Sequence, residues 1–268
     1  MPRVLVDGQS RDQVSVLDRG LGYGDGLFET IRFVEGKAPL WPRHMERLVE
    51  GCRRLGLPAP NPAVLLSEAC AVVQQLAQAV VRITLTRGAG ARGYKPPTGP
   101  QPTRIVAAFE APPPDPVAQA DGIRLRLCAT RLASQPLLAG IKHLNRLEQV
   151  LARAEWDDPA ITEGLLCDAG GLVISATAAN LFVVAGGVLA TPRLDYCGVA
   201  GVARAQVLAF CPHAQVREMP LAELRRANEL FLSSSVRGIL PVREFGGHDY
   251  VVGPLTRALQ AHWRALGF

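Results

Sequence analysis

Apolar and polar residues alternate along several short stretches of this 268-residue chain and recur at a helical spacing along others. Alternation lines one face of a strand, whereas a spacing of three to four residues lines one side of a helix. "RVLVDGQS" reads as a strand ending in a turn at Asp7-Gly8. "FETIRFV" and "APLW" read as two strands joined through Glu35, Gly36 and Lys37. Met45, Leu48, Val49, Cys52 and Leu55 give "PRHMERLVEGCRRLGL" a helical period, with Pro42 suited to its first turn and Gly56 to its stop. A further helix fits "NPAVLLSEACAVVQQLAQ"; strand "AVVRITLTR", a glycine-rich loop and strand "TRIVAAFEA" follow.

The proline-rich "PPPDPVAQADG" then interrupts the pattern. It predicts a linker over 113–121, dividing an N-terminal domain, 1–112, from a C-terminal domain, 122–268. Beyond it come strand "IRLRLCATRL", a helix over 144–155, and the short strands "EGLLCDA", "GLVISA", "NLFVVA" and "GVLATP". Helices near 201–210 and 220–227, strand "ELFLSSS" and a helix over 254–266 complete the series. Strands and helices mixed without strict alternation predict an α+β fold in two domains with a cleft between them.

Composition narrows the class. A hydrophobic content of 48% with 20% charged residues marks a folded chain rather than a disordered one. No stretch approaches the roughly 18 apolar residues of a membrane helix. The start "MPRVLVDGQSRDQ" lacks a basic-then-apolar leader, so a cytoplasmic protein is expected. The six cysteines form no C-x-x-C pair and read as reduced thiols. The net charge of +5 is spread out, without a basic run interleaved with aromatics. That disfavours nucleic acid and suits a small anionic ligand.

"GAGARG", 88–93, matches G-x-G-x-x-G and follows a strand, but Tyr94-Lys95-Pro96-Pro97 cannot open the helix a dinucleotide site requires. A loop carrying Arg87, Arg92 and Tyr94 could hold a carboxylate or be plain surface. The five histidines show no ligand spacing, so no metal site is expected. Three lysines stand against twenty-six arginines. Lys37 and Lys95 fall in turns and read as solvated. Lys142 follows the apolar "PLLAGI" and precedes a helical pattern. Against apolar walls an amine loses solvation and its pKa falls, as a Schiff-base nucleophile needs. An ordinary snorkelling lysine fits the same pattern, and the two readings stand level.

"KHLNRLEQVLAR" resembles the segment around the Schiff-base lysine of the fold-type IV pyridoxal-phosphate enzymes, in particular the aminodeoxychorismate lyases. "DRGLGYGDGLFETIR", "PRHMERL", "RGAGARGY", "AANLFVV", "TPRLDYCGVAGVAR" and "LFLSSSVRGILPV" match other parts of that family in order. The resemblance implies two α/β domains with pyridoxal 5'-phosphate in the cleft between them. It implies a lyase converting 4-amino-4-deoxychorismate to 4-aminobenzoate and pyruvate, with Lys142 forming the Schiff base and moving the proton. A D-amino acid, branched-chain or amine transaminase of the same fold, or a non-catalytic binding protein, are the alternatives. Arg47 would pair with the phosphate, Val202 and Ala203 would offer it backbone N–H groups, and Ser234 and Ser235 would close on it from the other side. Thr30, Arg92 and Tyr94 would contact the dicarboxylic substrate. Family members are homodimers. One position departs: where the family has a glutamate five residues before the Asn of "NLF", this chain has Ser175. A neutral hydroxyl cannot hold the cofactor's ring nitrogen protonated by charge. Asp168 and Glu163 lie in the preceding strand and turn.

Overall fold

A computed structural model of the chain describes residues 3–268; Met1 and Pro2, which open the segment read for a leader, lie outside them. Two compact units are present, Met1–Pro112 with Ile141–Asn145, and Pro113–Gly140 with Arg146–Phe268. Segment 113–121, expected as a linker, belongs to the second unit. Its Pro116–Asp121 part is helical, because Asp115 caps the first turn by accepting from the Ala118 N–H.

The first unit contains β1 (Arg3–Val6), α1 (Arg19–Tyr23), β2 (Gly26–Val34), α2 (Trp41–Leu55), α3 (Pro62–Val73), β3 (Gln78–Thr86) and β4 (Arg104–Glu110). The strands form an antiparallel sheet in the order β1-β4-β3-β2, which leaves β2 at an edge. Alternate residues Leu27, Ile31 and Phe33 of β2 and Val81, Ile83 and Leu85 of β3 enter the core. They meet Met45, Leu48 and Cys52 of α2 and Leu65, Ala69 and Val72 of α3, whose three-to-four spacing puts them on the buried side.

The turn at Asp7-Gly8 forms, and so does the one at Glu35-Gly36, each with two successive positive φ angles. The strand expected at "APLW" does not: only Lys37 pairs back to Val34, and α2 begins at Trp41. Pro39 has no N–H for a ladder, and Pro42 is preset for a first helical turn. α3 stops at Val73 rather than near 78, since Gln75 takes φ 75° and turns the chain into β3.

The second unit contains α4 (Pro116–Asp121), β5 (Ile123–Leu132), α5 (Leu147–Arg153), β6 (Ile161–Asp168), β7 (Val173–Ala176), β8 (Asn180–Ala185), β9 (Val188–Pro192), α6 (Val202–Phe210), β10 (Gln215–Arg217), α7 (Leu221–Leu224), β11 (Glu229–Ser234), β12 (Gly238–Phe245), β13 (His248–Asp249) and α8 (Pro254–Ala265). Its sheet runs β10-β9-β8-β11-β12-β5-β6-β7, with β13 on β12. Parallel pairs (β5 with β6 and with β12, β9 with β10) join antiparallel ones, the mixture expected of an α+β fold. Leu181, Val183, Leu230 and Leu232 point to one buried face. Phe182 and Phe231 stack on the other, ring centroids 5.0 Å apart. α6 packs on β11, and α4 and α8 on β12. α8 has an unusual cap: the buried Glu229 carboxylate accepts from the Thr256 N–H and hydroxyl, where Gly253 itself supplies nothing.

Candidate active site

Lys142 does not travel with the C-terminal unit as expected. Residues 141–145 belong with the first, because they continue its sheet past the edge of β2. The Phe28 N–H donates to Lys142 O and the Leu144 N–H to Gly26 O, both at 3.0 Å, with Leu27 and His143 facing each other between them. The helix expected from 144 therefore starts only at Leu147. Ile141 is buried in the first unit's core, but Leu137 is exposed, so only the end of "PLLAGI" is the apolar wall that was expected. The Lys142 ammonium sits 4.3 Å from the centroid of the Phe28 ring, and the Arg82 guanidinium lies at the same distance from that ring. Phe28 and Thr30 point to one face of β2, and Arg82 is Thr30's direct partner on β3, so it shares that face. Lys142, Phe28, Thr30 and Arg82 are thus brought together.

Glu29, between Phe28 and Thr30, points the other way and is fully buried. Arg47 grips it with a fork, Nε to Oε1 at 2.8 Å and Nη2 to Oε2 at 2.5 Å. His44 Nδ1 lies 2.6 Å from Oε2. Burial pushes the Glu29 carboxyl up, but the charge and hydrogen bonds of Arg47 and the contact with His44 outweigh it and hold the pKa at about 2. An ionised carboxylate only accepts, so Nδ1 of His44 carries the proton toward it. Burial lowers the His44 pKa, and Arg47 and Lys142 add repulsion against the pull of Glu29, so the imidazole is neutral. Arg47, expected on a phosphate, has two of its nitrogens on a protein carboxylate.

Arg92 and Tyr94 stand apart, exposed on the loop after β3. No helix opens there, as the prolines require. Gly88, at φ 85°, admits no side chain, since a Cβ would fall 1.8 Å from Gln101 O. α1 anchors the loop. Arg19 donates to Gly93 O and Tyr94 O, and the Tyr23 hydroxyl accepts from the Gly93 N–H. Asp25 ties Arg19 to Arg87, which also caps the C-terminal carbonyls Leu55 O and Gly56 O of α2.

The remaining candidates lie in the second unit. Ser175 is buried on β7, opposite Leu166 of β6. Neither nearby acid is idle: Glu163 pairs with Arg237 and accepts from the Thr177 hydroxyl, and Asp168 closes the β6–β7 turn by accepting from the Leu172 N–H. Val202 and Ala203 open α6, whose N-cap Gly201 offers no side-chain bond to the first turn. Unpaired N–H groups and the helix dipole favour an anion there. Gly201 is needed because a Cβ would fall 2.0 Å from Asn180 Oδ1; Asn180 Nδ2 in turn holds Val199 O at 3.0 Å. Ser234 and Ser235 are half-buried in the β11–β12 turn, where Ser234 Oγ accepts from the Arg237 N–H. Ser233, just before them, is 1% exposed and its hydroxyl has no partner among the described residues. An uncapped helix N-terminus, a glycine cradle and an orphaned buried hydroxyl together fit a phosphate monoester.

Glu29, Arg82, Asn180, Gly201 and Ser233 escaped the sequence reading. All but Arg82 lay within the motifs quoted above, but nothing local gave their partners, since Glu29 meets Arg47 and Ser233 faces Asn180 across the chain. Among the described residues no cluster of His, Cys, Asp or Glu could hold a metal, and no helix is long and apolar enough to cross a membrane.

The chain belongs to the class IV amino-transferases: residues 26–245 match that family's model. It is 36% identical to the aminodeoxychorismate lyase of Vibrio harveyi, over 96% of this chain and 98% of that one. The crystal structure of 4-amino-4-deoxychorismate lyase from Pseudomonas aeruginosa superimposes with a TM-score of 0.93 at 46% identity, covering 98% of each chain. The branched-chain-amino-acid aminotransferase of Escherichia coli is 29% identical over 92% of this chain and 86% of its own.

Proposed function

We propose that this chain is a pyridoxal-phosphate-dependent lyase of the cytoplasm that converts 4-amino-4-deoxychorismate to 4-aminobenzoate and pyruvate, working as a homodimer. The observation that carries the reading is full-length likeness to two lyases, at 46% and 36% identity, against 31% and 29% for two branched-chain aminotransferases, the first of them a putative one. Six free cysteines accord with a reducing compartment.

When bound, the cofactor supplies an aldehyde that joins covalently to amines and a conjugated ring that withdraws electrons from the substrate. Lys142 is the amine that anchors it, and its pinned backbone fixes where that amine can reach. With the substrate's amino group held there instead, the amine of Lys142 would take the proton from the ring carbon bearing that group. Removing it lets the carbon–oxygen bond break, and the side chain leaves as enolpyruvate. Thr30 and Arg82, on the Lys142 face, suit a substrate carboxylate, and Arg92 and Tyr94 on their anchored loop suit a second. The first turn of α6, with Ser234 and Ser235, would hold the phosphate. Arg47 would add its charge while Glu29 orients it. Ser175 would leave the ring nitrogen without a charged partner, which disfavours the transaminase reading.

Borohydride reduction and digestion should yield the Lys142 peptide carrying the cofactor. Lys142→Ala should lose that adduct and lower turnover by roughly 10²–10⁴-fold or more. An unmodified peptide, or turnover retained in the variant, would refute the proposal.

A further inference from the structure

Ser233 is the one fully buried hydroxyl without a hydrogen-bond partner among the described residues. Buried polar groups are almost always satisfied, and an unmet one destabilises the fold that contains it. The β11–β8 register sets Ser233 directly opposite Asn180, so the two side chains share a face. Asn180 Oδ1 touches the position a Gly201 Cβ would take, and Gly201 caps α6, a nine-residue helix packed on β11. The orphaned hydroxyl is therefore on the side of the sheet where the first turn of α6 presents its N–H groups. Leu230 and Leu232, on the opposite face, are sealed in the apolar core.

We infer that the Ser233 hydroxyl is a further donor to the bound phosphate monoester, beyond Ser234 and Ser235, directly or through one water. The ligand-free protein then carries an unmet donor that only the anion satisfies. A merely structural serine would show the reverse: its loss would leave ligand affinity alone. The inference rests on the cofactor assignment made above, and pyridoxal phosphate and inorganic phosphate separate the two.

The test uses cofactor-free wild type, Ser233→Ala and Ser233→Cys. Thermal melts are recorded with and without inorganic phosphate, and dissociation constants are measured for phosphate, pyridoxal phosphate and phosphate-free pyridoxal. Without ligand, Ser233→Ala should melt at the wild-type temperature or above it. Its affinity for pyridoxal phosphate and for phosphate should fall roughly 10-fold or more, with pyridoxal binding unchanged. The cysteine, a weaker donor of similar shape, should fall between. Wild-type affinity for both phosphates in Ser233→Ala would overturn the inference, as would an equal loss for pyridoxal. Wild type binding phosphate but no pyridoxal phosphate would remove the lyase reading and leave the cradle. Binding neither would remove both.

Discussion

Ser175 offers a hydroxyl where the resemblance implies a carboxylate, and the neighbourhood would not replace that charge. Glu163 is committed to Arg237 and Thr177, and Asp168 to its own turn. A ring nitrogen next to a neutral group is a weaker electron sink. Elimination tolerates this better than transamination, because a leaving group departs and the product gains aromaticity. Ser175→Glu should therefore raise half-transamination of amino acids, followed as 2-oxo acid released in a single turnover, with the lyase rate measured alongside. No rise would count against this account. Ser175 could be found from the chain alone because its motif is local. That its acidic neighbours are occupied could not, since Glu163 and Arg237 are 74 positions apart.

At the scale of elements, the Glu29–His44–Arg47 cluster clamps β2 to α2 from inside the first unit's core. The folded-state pKa of Glu29 is depressed from 4.5 to about 2, so the folded form binds its proton less readily than the unfolded form. The stability this confers is fully present above pH ~4.5 and is lost as pH falls toward ~2, a loss on the order of 3 kcal/mol. Denaturation curves between pH 5 and 2 should show that loss in wild type and a flatter profile in Glu29→Gln. The variant should be less stable at neutral pH by ~3–5 kcal/mol, because the Arg47 fork and His44 lose their charged acceptor inside the core. Identical pH slopes would exclude the clamp. The periodicity of α2 and its "PRHMERL" motif made Arg47 legible. Its carboxylate partner was not, because Glu29 occupies a core-facing position of a strand, where alternation predicts an apolar residue.

On the scale of the whole molecule, apolar surface remains uncovered. Leu147, Val150 and Leu151 of α5 stand at i, i+3 and i+4 and are all well over half exposed, as are Val16, Leu17 and Leu21 in the first unit. An apolar helical stripe in solvent marks an interaction surface, and a second copy of the chain is the proposed occupant. Sedimentation should find a species of twice the chain's mass. Leu147→Glu with Leu151→Glu should shift it to the monomer while the cofactor still binds; a wild-type monomer would remove the homodimer from the proposal. Most strands and the longer helices could be read from alternation and period. α1, α4, β10 and β13 were missed, being too short to show either; β12 was missed at eight residues, since Pro241 and a bulge near Arg243 break its alternation. The strand at "APLW" and the overlong helix from 144 were misread because tight turns and pairing with a distant strand overrode local preference.

The pairing of 142–144 with β2 also bears on how the protein is made. Once residue 112 has emerged from the ribosome every strand of the first sheet is free, yet the open border of β2 must wait some thirty further residues for its cover. Until then the Phe28 N–H and the Gly26 carbonyl, which Lys142 and Leu144 later engage, are open to any passing chain. The proline-rich stretch that looks like a natural cut point is therefore a poor one. Severed there, the leading half would carry an adhesive border and the trailing half would keep Lys142.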